Sequence, residues 1–363
     1  MKTVSKIIMV VVIIIVAIIA IGAIATLLTP ASSSQWKSAA DYPIQAEDTI
    51  GVSGQQCVNS AAHVYCIGGV DVMGGPHNAV YTSSTSSSSS GNITSWTPDS
   101  NSYPQTIYGQ ACVASSGYLY CVGGTYDDSG DDVASSYYAS LTSDGVVGTW
   151  SSTTAYPVPV DSQYCVASSG YIYCVEGFDE AHGTNATSYP SNSVEYAPLS
   201  SSGIGQWANS TVYPTGVYAP SCFAASGYIY CLGGIDSNRN ALNTVYYASL
   251  SSLGVGTWTQ TTAYPLDEIG QACAISSGYI YCVGGEDSSG YINAVYYATV
   301  SSGGTGTWTK AANYPDSTWT TCFTSSGYLY CVGGVDGSSA GESGAAYYVA
   351  LQSLFSATTT TTG

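Results

Sequence analysis

Positive charge is nearly absent from this chain. Against 23 Asp and Glu stand five Lys and Arg, for a formal charge of −18 at pH 7. Lys2 and Lys6 sit ahead of an apolar segment, so Lys37, Arg239 and Lys310 are the only Lys or Arg in all that follows. Three scattered cations cannot form a basic patch, which argues against nucleic acid as a partner. Charge of either sign is scarce too, at 8% of residues, whereas a halophile would carry far more carboxylates. Two readings fit: an acidic habitat, where carboxylates protonate and the net charge shrinks, and a Ser/Thr-rich, glycosylated surface protein.

What the chain does have is Ser, Thr, Asn, Gly, 33 Tyr and one long apolar run. That run, IIMVVVIIIVAIIAIGAIATLL at residues 7–28, carries no charge. At ~1.5 Å per residue a helix of this length crosses a hydrocarbon core of ~30 Å. Lys2 and Lys6 on its N-terminal side put residues 1–6 in the cytoplasm and everything after residue 30 outside, as a single-pass signal anchor. The alternative is a cleaved signal peptide and a secreted product, with TPASSS as the cleavage region. Residues 29–32 read as a short linker.

The rest is repetitive. A Cys–x8–Cys unit followed by paired glycines occurs six times, beginning at Cys57, Cys112, Cys165, Cys222, Cys273 and Cys322; in the third copy Glu176 replaces the first glycine. A second unit, Trp followed by Tyr-Pro, also occurs six times, at Trp36, Trp96, Trp150, Trp207, Trp258 and Trp308. Runs rich in Tyr, Val, Ile and Thr between turn residues predict four short strands per copy. Four strands at a period of about fifty residues is the signature of a β-propeller.

The paired glycines, then Tyr, then Trp at wider spacing, resemble the kelch repeat over residues 33–352. The resemblance implies an all-β, six-bladed propeller with four-stranded blades around a channel. It does not imply a function, since such propellers include both binding modules and oxidases. The Trp series starts before the Cys series, so the N-terminal segment is expected to supply the outer strand of the last blade and hide its edges.

The cysteine spacing has its own geometry. In a hairpin with a two-residue loop at Ser116-Gly117, Cys112 falls opposite Cys121 at a non-hydrogen-bonded pair, where Cα atoms approach to ~4.5 Å. The same arithmetic pairs Cys57 with Cys66, Cys165 with Cys174, Cys222 with Cys231, Cys273 with Cys282 and Cys322 with Cys331. Twelve cysteines become six staples with none left for zinc. Six disulfides require an oxidising compartment or a hyperthermophile cytosol. With the apolar segment, that places the propeller outside the cell.

Within such a blade the loops after Gly-Gly share one face with the segments before each first Cys. The anchor enters from the other face, so the Gly-Gly face is expected to point outward, and binding sites are sought there. An Asp follows Gly-Gly, or Glu-Gly in the third copy: Asp71, Asp127, Asp179, Asp236, Asp287 and Asp336. Each either caps its own loop or joins a ring of carboxylates around a cation; no EF-hand pattern is present, and no metal or cofactor is assigned. In the third copy Glu176, Asp179, Glu180 and His182 lie close together on the longest loop, as a polar pocket or as solvated loop charges. Trp319, three residues before its Cys where the other copies have Gly54, Gly109, Ser162, Ala219 and Gly270, is expected near the channel mouth. There it either stacks on a sugar or anchors a partner, or plugs the channel. Asn92, Asn185 and Asn209 begin N-glycosylation sequons. Residues 353–363 read as a Thr-rich disordered tail.

These features favour a non-enzymatic, membrane-anchored surface module that binds a glycan, envelope or protein partner. A structural envelope component is the second reading. Enzyme readings are poorer. Galactose-oxidase-like kelch proteins need His and Tyr around copper and a Tyr–Cys crosslink, yet every Cys has a partner and there are three His. Sialidase-like propellers need several Arg, and only Arg239 exists. A carbohydrate-active enzyme would have to use Glu176, Asp179 or Glu180, with no defined acid–base pair.

Overall fold

The computed structural model describes residues 35–43, 52–71, 74–85, 91–126, 131–175, 177, 191–316, 318–337 and 341–355. The expected anchor at 7–28 and its flanks lie outside them. Among the described residues no helix is long and apolar enough to cross a membrane.

Each Cys–x8–Cys unit folds as the period-2 pattern predicts. Strands Ala111–Ser115 and Tyr118–Val122 pair antiparallel with Cys112 opposite Cys121. Ser116 and Gly117 turn the chain at φ +50° and +80°, the left-handed pair that a two-residue hairpin needs. All six cysteine pairs are bonded this way, with Cα–Cα distances of 4.0–4.1 Å. In the first unit Ala61 adopts φ +52° without help from glycine.

Each hairpin heads an antiparallel sheet. Ser136–Ser140 pairs with Tyr118–Val122, and Ser151–Ser152 pairs with Ser136–Ser140. In the last sheet Thr318–Ser325, Tyr328–Asp336 and Gly341–Ala350 are followed by Lys37–Ser38 from the other end of the chain. Ala39 N–H extends that contact to Ala346 O at 2.8 Å. The fold is therefore all-β and propeller-like, with its N-terminal strand on the outer edge of its last sheet.

The core lies between sheets. Val113, Tyr120 and Val122 of the second pack on Cys165, Ile172 and Ala197 of the third. Val64 and Cys66 of the first pack on Tyr330, Val332 and Tyr348 of the last. The repeated Trp makes the same circuit further out. Its indole stands edge-on to the Tyr of the preceding Tyr-Pro, at centroid distances of 4.8–5.2 Å. Its N–H donates to a carbonyl just ahead of that Tyr, as Trp150 to Asn101 and Trp96 to Ala40. Trp36 stands on Tyr314 and donates to Ala312 O, so the contacts return to their start.

Packing continues past residue 352, where a tail was expected. Leu351–Leu354 is a short helix, Leu354 is fully buried, and the Phe355 ring stands edge-on to Tyr297 at 4.9 Å. Residues 356–363 lie outside the described part.

Candidate functional site

The segments before each first Cys converge. Gly54, Gly109, Ser162, Ala219 and Gly270 occupy the same place in five units, all at φ between +51° and +67°. Gly109 N–H donates to Gly54 O at 3.1 Å, Ser162 N–H to Gly109 O at 3.0 Å, and Ala219 N–H to Ser162 O at 3.3 Å. The smallness seen in the sequence thus has a backbone cause: a large side chain is strained at positive φ. Together with the sixth unit these segments wall a cavity of about 440 Å³ to which all six units contribute.

The sixth unit departs from the pattern. Its first strand runs unbroken from Thr318 to Ser325, with an irregularity between Trp319 and Thr321. Trp319 consequently takes an extended conformation and its indole lies over Gly270, where an added Cβ would come within 2.4 Å of Nε1. The Tyr291 ring braces it edge-on at 6.1 Å. Trp319 lines the cavity and keeps 36% of its surface exposed, so it forms a wall and leaves the cavity open.

A feature missed in the sequence lies one residue on. Gln55, Gln110, Gln163 and Gln271 are buried, and each donates its amide N–H to a carbonyl of the preceding unit, at Val332, Ile67, Val122 and Leu232 respectively. The amide sits against the first glycine of that unit's pair. A Cβ on Gly68, Gly123, Gly233 or Gly333 would fall 2.1–2.9 Å from the Gln Nε2. The unit after Glu176 has Pro220 in place of Gln, so the amide that demands glycine elsewhere is missing from the sequence there. The signal was available as Gln two residues before Cys in four of six copies.

Glu176, Asp179, Glu180 and His182 lie outside the described residues, as do Asp127 and Asn185. Three members of the Asp series, Asp71, Asp236 and Asp287, cap their own loops. Asp71 accepts from Gly75 N–H at 3.0 Å and contacts His77 Nε2 at 3.1 Å. Asp236 accepts from Asn238 and Asn240 N–H at 2.8 and 2.9 Å, which lowers its pKa, the Asn240 bond most. Asp287 is lowered likewise by Ser289. Among the described residues no three His, Cys, Asp or Glu gather as a metal site. His63 lies apart from His77, against Gly145 of the next unit. Of the sequons, Asn209 is exposed on the outer strand Ala208–Asn209, while Asn92 is partly buried with its side-chain oxygen enclosed.

Two acids are buried where none was expected. Glu195 takes the place of a Tyr that in other units stands edge-on to the Tyr-Pro tyrosine, as Tyr137 does to Tyr103. Here the Tyr156 hydroxyl donates to it instead, as does Ser193 Oγ at 3.2 Å. Burial still raises its pKa. Glu268 is 0% exposed, and neither oxygen makes a hydrogen bond of ordinary geometry. Burial pushes it up to about 8; the Tyr264 phenol offsets this only in part, and the Asp287 charge adds to it. Neither acid lines the cavity, whose walls carry one carboxylate, Asp161, and no Lys, Arg or His among the described residues.

No protein-family model matches the chain, and no curated protein matches it. A solved structure of YjhT superposes with a TM-score of 0.65, covering 85% of this chain and 95% of that one at 12% identity. At that identity the likeness bears on the fold alone.

Proposed function

We propose that this chain is a non-enzymatic binding module, membrane-anchored through residues 7–28 and extracellular. In this reading six kelch-like blades close into a ring and engage a glycan, envelope or protein partner at the channel mouth. The return of the Trp–Tyr circuit from Trp36 to Tyr314 supports the six-fold closure. The observation that carries the function is the cavity shared by all six units, with one exposed aromatic wall at Trp319. Concave sites with a few polar groups and an aromatic surface are where small ligands bind. Acid–base catalysis needs two positioned titratable groups, and among described residues the walls offer one carboxylate, Asp161, beside the phenols of Tyr108 and Tyr164. Six disulfides suit an exposed, oxidising location.

The test is binding of the full chain, reconstituted in lipid nanodiscs, to intact cells and to a glycan panel at acidic and neutral pH. Saturable binding that Trp319→Ala abolishes is the expected result. Binding that survives Trp319→Ala and is lost on shortening the segment 178–190 would move the site to the third blade. No binding by folded, disulfide-intact protein would favour a structural envelope role instead.

A further inference from the structure

The charge distribution around the cavity narrows what it can hold. All cations after residue 6 are known from the sequence, and none reaches the site. Lys37 lies over the Tyr348 ring at 6.0 Å, in the outer strand of the last sheet. Lys310 is on the exposed end of the outer strand Thr309–Lys310. Arg239 sits in the exposed turn that Asp236 caps. A carboxylate or phosphate entering the cavity would lose its hydration and meet no Lys, Arg or His among the described residues, in a protein of net charge −18. Among the described residues the one acid of the lining has one oxygen engaged, since Ser162 Oγ donates to Asp161 Oδ2 at 2.9 Å.

Among the described residues the remaining lining is uncharged and of two kinds, aromatic (Trp319, Tyr108 and Tyr164) and neutral polar. Trp319 presents a flat apolar face, held by Gly270 beneath and Tyr291 at its edge. Gln56, Ser53 and Ser162 offer amide and hydroxyl groups with partial exposure. The small residues that the positive-φ segments require keep the space opposite the indole clear. One apolar wall facing neutral donors and acceptors fits a ring that is apolar on its C–H face and hydroxylated at its edges. The volume of about 440 Å³ falls within the usual range for small-ligand sites, ~300–1,000 Å³.

Resting on the reading that this cavity is the binding site, we infer that it receives an uncharged mono- or disaccharide, such as the neutral terminus of a glycan, and rejects acidic sugars. Recognition is by stacking on Trp319 and by neutral hydrogen bonds, so Asp161 is not a charge partner for the ligand.

The experiment titrates full chain in nanodiscs with neutral disaccharides, with glucuronic and N-acetylneuraminic acids, and with glucosamine, following tryptophan fluorescence and heat. A neutral sugar is expected to bind saturably, and acidic sugars at least ~10-fold more weakly, a lower bound since an unmet buried charge costs more than the ~1.4 kcal/mol of a tenfold change. Trp319→Ala should abolish binding; Trp319→Phe, which preserves packing, should weaken it. Tighter binding of an acidic sugar, or of glucosamine in a manner lost with Asp161→Asn, would overturn the ligand class and leave the cavity reading standing. Failure of every sugar, with Trp319-dependent binding to cells intact, has the same consequence. Sugar binding indifferent to both Trp319 variants would overturn the cavity reading itself.

Discussion

Gly123 and Glu176 hold the same place in successive copies, and the contrast between them was visible in the sequence without its cause. One cause is an amide from the next unit; positive φ is another, since Gly284 stays glycine at φ +65° where the next unit has Thr320 in place of Gln. Gln163 Nε2 and Val160 O would each lie 2.5 Å from a Cβ on Gly123. Gly123→Ala should therefore cost ~2 kcal/mol or more, as close-packed positive-φ glycines do, whereas Glu176→Gly should change stability by under ~1 kcal/mol. Urea unfolding of the two variants measures both; equal losses would remove this explanation. The cysteine pairing, by contrast, was fully legible, because strand register is local arithmetic. Replacing both Cys112 and Cys121 by Ser should cost ~2–3 kcal/mol, the chain-entropy value for so short a loop, with the other five bridges intact by mass spectrometry.

The connection from Tyr264 to Gly270 ties neighbouring units together and carries a buried acid in its middle. Glu268 bridges to Leu242 of one unit, while Ile269 bridges to Glu286 of the next. The acidic groups around it are Asp267 beside it, Glu286 and Asp287 on the following loop, and Asp236 on the preceding one, with Arg239 the nearest cation in sequence to that loop. A carboxyl with a raised folded-state pKa holds its proton more tightly when folded. Its stabilising contribution is full below its ordinary value of 4.5 and is lost as pH rises through about 8. Asp236 and Asp287, lowered from 3.8, act the other way, and only as pH falls below that value. Stability should thus decline from pH 5 to pH 8, and Glu268→Gln should flatten the decline by roughly 2–4 kcal/mol. Thermal melts at the two ends of that range check it; parallel curves for variant and wild type would contradict it. Nothing in the local sequence marks Glu268, since its burial depends on loops far from it in the chain. Glu195 was missed as well, although it left a signal as the one departure from Tyr in a repeated position.

Counting two offset series was enough to foresee that the chain's beginning completes its end, because a repeat that cannot bury its own faces must borrow its neighbours'. Where the molecule loses its symmetry was not foreseen in full. Expectation fell on the third copy, whose loop lies outside the described residues; within them the sixth copy differs most, with its unbroken strand Thr318–Ser325 and the Trp319 wall. That difference depends on backbone conformation, which one Trp among small residues hinted at without specifying. Both the cavity and its proposed ligand depend on ring closure. The most direct test is amide hydrogen exchange along residues 36–42 of the native full chain. Ala39 N–H bonds to Ala346 O at 2.8 Å and Tyr42 N–H to Gly344 O at 2.6 Å. If the ring is closed, these amides exchange as slowly as those of the cysteine hairpins. Rapid exchange at Ala39 and Tyr42, with the hairpins still protected, would show an open array and contradict the account.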